Sequence, residues 1–245
     1  MITFPVADGT APGYLALPQR GAGARGAAEN AGTQFPQAPT AAGEGPGILL
    51  LHAWWGLNSF FQATCDRLAR EGFVVLAPDL YHGQVAATIE EAERLHAAFD
   101  GKGARAEIAG AVAYLRQHPA VKGQGIGCIG FSMGAEFAFA TSCAMPADIA
   151  AVVVFYGAGP VADYTAARAA YLGHYAPGDE WEPDEYVSQT EATLRAAGRD
   201  VTFYRYPGAG HWFVEENRPD AYNPEAAQLA WQRTLGFLHR HLAQA

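Results

Sequence analysis

The sequence predicts a doubly wound α/β fold, in which a mostly parallel sheet has helices on both of its faces. Three observations support this prediction. Short apolar runs bounded by Gly, Pro or Asp recur along the chain, and longer amphipathic stretches separate them. Half of the 245 residues are hydrophobic and only 17% are charged, which is enough apolar material for a large core. Such alternation is typical of parallel strands joined by crossover helices.

The individual elements follow from this pattern. A pair of short strands is expected over residues 2–17. The apolar runs expected to form the core strands are 47–52, 73–78, 125–130, 149–156, 169–176 and 201–206. The amphipathic stretches expected to form helices are 60–70, 89–99, 105–117, 133–143, 183–197 and 223–242.

One segment departs from the pattern. Residues 19–47 are a mixture of Gly, Ala, Pro and Gln with few branched apolar side chains, so they cannot bury enough surface to offset the entropy of ordering. We expect a flexible loop insertion here, between the N-terminal strand pair and the first core strand. Residues 1–245 are accordingly predicted to form a single domain.

The charge balance limits the partners. The chain has 25 acidic and 16 basic residues, and a net charge of -9 repels phosphate backbones and anionic lipids. We therefore expect neither nucleic acid nor a membrane as partner. The N-terminal residues lack the pattern of a signal peptide, and no apolar run is long enough to span a bilayer, which predicts a soluble, cytoplasmic protein.

The cysteines give no sign of a metal site. Cys65, Cys128 and Cys143 show neither CxxC spacing nor Cys/His ligand spacing. We expect them to be reduced core residues, and we predict no metal and no organic cofactor.

A candidate nucleophile lies in the segment Gly130-Phe-Ser132-Met-Gly134, which joins an apolar run to a helical stretch. Gly-x-Ser-x-Gly in this context is typical of the nucleophile elbow of the α/β-hydrolase fold, where a sharp turn exposes the serine hydroxyl. The backbone N–H of Met133 would then face a developing oxyanion at the start of the helix. The alternative is that Ser132 only caps the helix.

A serine nucleophile needs a histidine base and an acid that orients the histidine. In this fold the acid follows the serine along the chain, and the histidine follows the acid. His211 lies in the glycine-rich loop after the strand at 201–206, where site residues are expected. Four histidines precede Ser132, and His239 and His241 lie on the closing helix. A loop histidine that merely bonds to the backbone is the alternative for His211.

The acid is expected in the loop Pro177-Gly-Asp179-Glu-Trp-Glu, at the end of the strand at 169–176. Asp179 comes first in this loop and is the preferred candidate. Competing carboxylates, which could also charge the first turn of the next helix or follow the preceding strand, are Glu180, Glu182, Asp184 and Asp163.

The loop after the strand at 47–52 would supply a second oxyanion donor, for which the backbone N–H of Trp54 is the candidate. Aromatic side chains in loops that are expected to face the site predict an aromatic-walled pocket for an apolar or aromatic acyl group, although such side chains also simply pack. They are Trp54, Trp55, Tyr81, Trp181 and Trp212.

The chain resembles the dienelactone hydrolase family over nearly its whole length outside 19–47. The segments responsible are His52-Ala-Trp-Trp-Gly-Leu-Asn58, Ala77-Pro-Asp-Leu-Tyr81, the elbow at 130–134, the Tyr156-Gly turn, Gly178-Asp179 with Pro183, Gly210-His211-Trp-Phe and the closing stretch 221–237. The resemblance implies that Ser132 is the nucleophile, Asp179 the acid and His211 the base.

The chain also departs from that family. Ser132 and Ala53 stand where the enzymes that open dienelactones have a cysteine and a glutamate, and Gly83 and Glu215 stand where they have substrate-binding arginines. Glu215 near the base would repel an anionic substrate. We therefore expect a neutral ester or lactone, unless Arg218 turns into the pocket.

These observations predict a serine hydrolase that acts on a small-molecule ester or lactone through an acyl-enzyme intermediate. Two alternatives remain: an acyltransferase that uses the same triad, and a non-catalytic binding protein that retains the fold. The oligomeric state is not predicted.

Overall fold

A computed structural model of the protein describes residues 1–19, 43–159 and 163–242. The strands are β1 (Ile2–Val6), β2 (Gly9–Ala16), β3 (Gly47–Leu51), β4 (Val74–Pro78), β5 (Ile126–Phe131), β6 (Ile149–Phe155), β7 (Ala170–Tyr175) and β8 (Val201–Arg205). The helices are α1 (Ser59–Arg70), α2 (Ile89–Ala97), α3 (Gly101–Gln117), α4 (Met133–Ala144), α5 (Asp184–Ala196) and α6 (Pro224–Leu242).

All of these strands belong to one sheet, in the order β1-β2-β4-β3-β5-β6-β7-β8. The six strands β3 to β8 are parallel to one another, whereas β2 is antiparallel to both of its neighbours, β1 and β4. This confirms the predicted α/β-hydrolase fold. The chain runs outward in one direction from β3 to β4 and then crosses to β5 on the other side of β3. The carboxyl ends of β3 and β5 therefore flank a switch point, which is where open α/β sheets bind ligands.

Helices cover both faces of the sheet because the central strands are apolar on both sides, and all residues of β3, β4 and β5 are buried. Each fully buried Leu, Ile or Phe contributes about 1.5–3 kcal/mol of hydrophobic stabilisation. Side chains of α1 and α6 pack on one face, including Phe61, Leu68, Trp231 and Leu238. Those of α3, α4 and α5 pack on the other, including Ile108, Leu115, Phe139 and Leu194.

Side-chain caps decide where the helices α1 to α3 begin. Asn58 accepts hydrogen bonds from the first N–H groups of α1, and Thr88 forms a capping box with Glu91 at α2. Asp100 accepts from the N–H of Lys102 at 3.0 Å, and α3 therefore begins at residue 101, four residues before the predicted start. The two glycines of this first turn disfavour a helix by intrinsic propensity, and the cap overrides that preference.

The predicted loop insertion over 19–47 falls mainly on residues 20–42, which lie outside the described residues. Its flanks approach each other, because the N–H of Gly43 donates to the carbonyl of Pro18 at 2.6 Å. Gly45 then pairs with the segment before β5, where its N–H donates to Ala120 and its carbonyl accepts from Lys122, both at 2.9 Å.

The three cysteines are free; Cys65 and Cys128 lie in the core as expected, whereas Cys143 is only half-buried. Cys65 and Cys128 are fully buried, and burial raises the pKa of both thiols, so they remain protonated and weakly reactive. Among the helices of the described ranges, none is both long and apolar enough to cross a bilayer.

Two helix-interior glycines allow a matched test of this packing. A Cβ at Gly236 in α6 would meet no atom within 4 Å, whereas one at Gly110 in α3 would lie 2.8 Å from the carbonyl oxygen of Pro5. We expect Gly236→Ala to raise the free energy of unfolding by about 0.5–1 kcal/mol, since alanine favours the helix. Gly110→Ala should lower it by about 1–3 kcal/mol, because α3 must shift away from β1. Urea denaturation measures both, and equal effects would contradict the packing of α3 on β1.

Candidate active site

Ser132 lies in the tight turn between β5 and α4. Its φ is 48° and its ψ is -114°, a conformation that non-glycine residues adopt at a cost of about 1–3 kcal/mol. The N–H of Ser132 donates to the carbonyl of Phe155 at 2.9 Å, which fixes the turn against the end of β6. The hydroxyl is thereby directed out of the carboxyl edge of the sheet, as the elbow motif predicts.

The two glycines of the motif are required by close backbone approach. A Cβ at Gly130 would lie 2.4 Å from the carbonyl oxygen of Gly134, and one at Gly134 would lie 2.3 Å from that of Leu51. Any side chain at either position would push α4 away from β3 and β5. The spacing Gly-x-Ser-x-Gly therefore lets the first turn of α4 rest directly on the end of β3.

Ser132, His211 and Asp179 form one hydrogen-bonded line. The Oγ of Ser132 lies 3.0 Å from Nε2 of His211, and Nδ1 of His211 lies 2.7 Å from Oδ2 of Asp179. Both His211 and Asp179 are 8% exposed. A carboxylate only accepts hydrogen bonds, so Nδ1 bears the proton and Nε2 is free to accept the serine proton.

The loop after β7 orients Asp179. Its Oδ1 accepts the N–H of Trp181 at 2.8 Å and that of Glu182 at 3.2 Å, which leaves Oδ2 for the histidine. Competing carboxylates have other partners: Asp184 accepts from the N–H of Gly178, and Asp163 accepts from Thr165. Of the sequence candidates within the described residues, only Asp179 hydrogen-bonds to His211.

The two candidate oxyanion donors lie at the ends of adjacent strands. Met133 is the first residue of α4, directly after the elbow. Trp54 follows β3, which pairs with β5 up to Leu51 and Gly130. Within residues 1–19, 43–159 and 163–242, neither backbone N–H has a hydrogen-bond acceptor. Both N–H groups therefore remain candidates for binding an oxygen atom beside Ser132.

The predicted aromatic pocket is only partly at the surface. Trp181 is 45% exposed, and its ring centroid lies 5.1 Å from that of Trp54 and 6.4 Å from that of His211. Trp55, Tyr81 and Trp212 are buried. The hydroxyl of Tyr81 contacts the sulfur of Met133 at 3.5 Å. Trp181 and Trp54 therefore form the accessible wall, and Trp55 and Trp212 pack against them. Tyr81, contrary to the prediction, is not part of this wall and packs against His52 instead.

An open cavity of about 550 Å³ lies beside the Asp179–His211 pair. The loops at 178–181, 208–212 and 220–223 line it, with Trp181, Trp212 and Tyr222 as aromatic residues. Asp179, Glu180 and Asp220 contribute carboxylates. The described residues that line this cavity include neither lysine nor arginine, although Nη2 of Arg218 lies 3.9 Å from Oδ2 of Asp220.

Glu215 does not line the pocket, contrary to the argument drawn from the sequence. Its side chain is fully buried and accepts a hydrogen bond from the hydroxyl of Tyr156 at 2.8 Å. Burial raises the pKa of Glu215 to about 8, although Tyr156 and the nearby Arg218 act in the opposite direction. At neutral pH the group is therefore largely uncharged and cannot repel an anionic substrate.

Arg218 packs against the aromatic residues, and its Nη2 lies 3.9 Å from Oδ2 of the cavity residue Asp220. Its guanidinium carbon lies 3.9 Å from the ring centroid of Trp55 and 4.7 Å from that of Trp212. Such stacking stabilises a cation over aromatic faces. Arg218 thus supports the aromatic wall from behind.

The sequence reasoning missed the role of Tyr156 next to the base. Its ring centroid lies 4.9 Å from that of His211, while its hydroxyl bonds to Glu215 at the other end of the same loop. The only signal in the sequence was the Tyr156-Gly turn after the strand, which supported the resemblance alone. Contact between this turn and the loop at 211–215 exists only in the folded chain.

Known proteins similar to this chain include members of one enzyme family. The sequence profile of the dienelactone hydrolase family matches residues 34–242. Protein usf of Aquifex pyrophilus is 31% identical over 206 residues, which cover 81% of this chain and 89% of that protein. A Bradyrhizobium protein, named as a probable 2-oxo-3-(5-oxofuran-2-ylidene)propanoate lactonase, is 30% identical, with 83% and 87% covered. The dienelactone hydrolase from Anabaena variabilis superposes with a TM-score of 0.67 at 20% identity, over 98% of this chain and 96% of that one.

The buried Glu215 predicts a pH dependence of stability. Its pKa is about 8 in the folded protein and near 4.5 without burial, so the folded state holds a proton that the unfolded chain releases in this interval. The free energy of unfolding should therefore fall by up to about 1.4 kcal/mol per pH unit as the pH rises from about 4.5 to about 8. Glu215→Gln should lack this loss while keeping an acceptor for Tyr156.

Urea denaturation at several pH values compares the wild type with this variant. The neighbouring Glu216 is exposed, so Glu216→Gln makes the same chemical change at a position without burial and serves as the control. Parallel pH dependence of the wild type and Glu215→Gln would contradict the assigned burial.

Proposed function

The chain belongs to the dienelactone hydrolase family and is a hydrolase acting on ester bonds, and we propose that it works as a serine esterase or lactonase through an acyl-enzyme intermediate. The main support is the hydrogen-bonded line from Ser132 through His211 to Asp179, with distances of 3.0 Å and 2.7 Å. This arrangement matches the requirements of a nucleophile, a general base and an orienting acid.

Acylation begins with Ser132. Its Oγ attacks the ester carbonyl carbon while the hydroxyl proton passes to Nε2 of His211. The oxygen of the tetrahedral intermediate accepts hydrogen bonds from the N–H groups of Met133 and Trp54. When the intermediate collapses, the bond to the leaving alkoxide breaks and His211 donates the proton to it, so that an alcohol departs and the acyl group stays on Ser132.

Deacylation repeats the same steps with water. His211 takes a proton from the attacking water, whose oxygen forms the new bond to the acyl carbon. The ester bond to Ser132 then breaks, the proton returns to its Oγ, and the carboxylic acid is released. Asp179 keeps the proton on Nδ1 of His211 throughout, so Nε2 can act as base and then as acid.

The surroundings of the triad favour a neutral substrate. The cavity beside the triad is lined by the carboxylates of Asp179, Glu180 and Asp220, of which, within the described part of the chain, only Asp220 lies near a cation, Arg218 at 3.9 Å. Glu215 is buried and largely uncharged, so it does not add to this charge. A substrate with its own carboxylate would be repelled at this surface. Trp181 and Trp54 offer an apolar face to a small-molecule ester or lactone. We also propose that the enzyme is located in the cytoplasm.

Substitutions in the triad test the proposal. Ser132→Ala should lower kcat for a simple aryl ester by about a thousandfold or more, and Asp179→Asn by about 10³ to 10⁴, because the histidine loses its required tautomer. Asp184→Asn removes a nearby exposed carboxylate outside the triad and should retain kcat within about threefold. Labelling of the wild type, but not of Ser132→Ala, by a fluorophosphonate identifies the nucleophile. An active Ser132→Ala variant would refute the proposal.

The charge of the substrate gives a second test. Two aryl esters with acyl chains of equal length, one neutral and one ending in a carboxylate, should differ by about tenfold in kcat/KM in favour of the neutral ester. This difference should shrink at high ionic strength, because the cavity is open and its charges are screened. Asp220→Asn should also reduce it. A preference for the carboxylate ester would show that a cation reaches the substrate.

A further inference from the structure

A buried histidine lies directly before the loop that contains the second candidate oxyanion donor. His52 directly follows β3 and is fully buried, and its ring centroid lies 5.5 Å from that of Tyr81. It precedes Ser132 in the chain and has no part in the triad. Its two ring nitrogens nevertheless make hydrogen bonds to backbone groups of two different loops, those after β3 and β4.

The partners of His52 define its tautomer. The N–H of Leu80 donates to Nε2 at 3.2 Å, so Nε2 has a free lone pair and no proton. The ring proton is therefore on Nδ1, which donates to the carbonyl oxygen of Ala53 at 2.7 Å. Burial lowers the pKa of His52 and keeps the ring neutral. Both bonds are satisfied only in this one tautomer.

The bond to Ala53 also fixes the N–H of Trp54. The carbonyl of Ala53 and the N–H of Trp54 belong to one planar peptide unit, in which the two groups point in opposite directions. Gly56 donates to the same carbonyl at 3.2 Å, so this oxygen is held by two donors. The direction of the Trp54 N–H is thus set by the groups that bind the carbonyl.

The order of the strands shows where this N–H points. In the sheet, β3 lies between β4 and β5. His52 extends towards Leu80, just beyond β4, and draws the Ala53 carbonyl to that side. The Trp54 N–H consequently faces the opposite side, where Ser132 follows β5.

We infer that His52 is a positioning residue for the oxyanion site, which holds the Ala53–Trp54 peptide so that the Trp54 N–H faces the carbonyl oxygen attacked by Ser132. The inference rests on the proposed function and adds a residue that touches neither the substrate nor the triad. It accounts for both hydrogen bonds of a neutral, fully buried histidine at this place in the fold.

Two amide variants separate the two nitrogens of the ring. In His52→Asn the side-chain amide occupies the place of Nδ1 and can still donate to Ala53, while the bond to Leu80 is lost. In His52→Gln the amide reaches the place of Nε2 and can still accept from Leu80, while the bond to Ala53 is lost. Each variant removes one hydrogen bond and part of a ring from the same site. His52→Asn leaves the larger gap and the Leu80 N–H without His52 as acceptor, so a structural effect alone would make His52→Asn the less active variant.

We expect His52→Gln to lower kcat by about 10- to 100-fold with KM changed less than about twofold, because oxyanion donors act in the transition state. His52→Asn should retain kcat within about threefold. A trifluoromethyl ketone, whose serine adduct presents an oxyanion, should lose affinity in His52→Gln by the same factor as kcat. Thermal unfolding reports the stability of each variant, and rates are normalised to the fraction of protein that a fluorophosphonate finally labels.

Wild-type kcat and inhibitor affinity in His52→Gln, or equal losses in the two variants, would overturn the inference and leave the serine esterase proposal intact. The serine esterase proposal would be refuted by an inactive wild type or an active Ser132→Ala variant. The positioning role of His52 would then be refuted as well.

Discussion

The close approach of α4 to the end of β3 is the constraint on which the rest of the site depends. The backbone of Gly134 lies so near the carbonyl of Leu51 that no Cβ fits between them. This contact brings the first N–H of α4 beside the loop that follows β3, and it forces Ser132 into a left-handed conformation at the turn. The positions of the candidate nucleophile Ser132 and of the candidate oxyanion donor Met133 therefore depend on one packing contact between a helix and two strands.

The loops around this contact are connected to each other by buried polar groups. Asp179 binds two backbone N–H groups of its own loop and the imidazole of His211. Tyr156 packs against His211 and bonds to Glu215, which closes the loop after β8. His52 joins the loops after β3 and β4. Buried polar groups of this kind require partners, so each loop is restricted to the conformation that satisfies them.

Carboxyl groups near the site fall into two electrostatic classes. Glu215 is buried and holds its proton at neutral pH, whereas Glu180 and Asp220 line an open cavity. The pKa of Glu182 is raised to about 7, first by burial and then by the nearby carboxylates of Asp179 and Glu136. The charged carboxylates at the cavity are thus those of loop residues that line it. Glu215, which the sequence placed near the base, is instead a buried hydrogen-bond partner of Tyr156.

Much of the fold and the candidates for the triad could be predicted from the sequence, because strands, helices and the elbow leave local patterns: apolar runs, helical periodicity and glycines at fixed spacing. Those patterns identified Ser132 as the candidate nucleophile, and its position in a loop identified His211 as the candidate base. The choice of Asp179 among several loop carboxylates needed the hydrogen bond to His211. The burial of Glu215, the stacking of Arg218 on Trp55 and the link from His52 to Leu80 also became visible only in the folded chain. Each joins segments distant in sequence, and the direction of a side chain at such a contact is decided by tertiary packing, which leaves no periodic signal in the sequence.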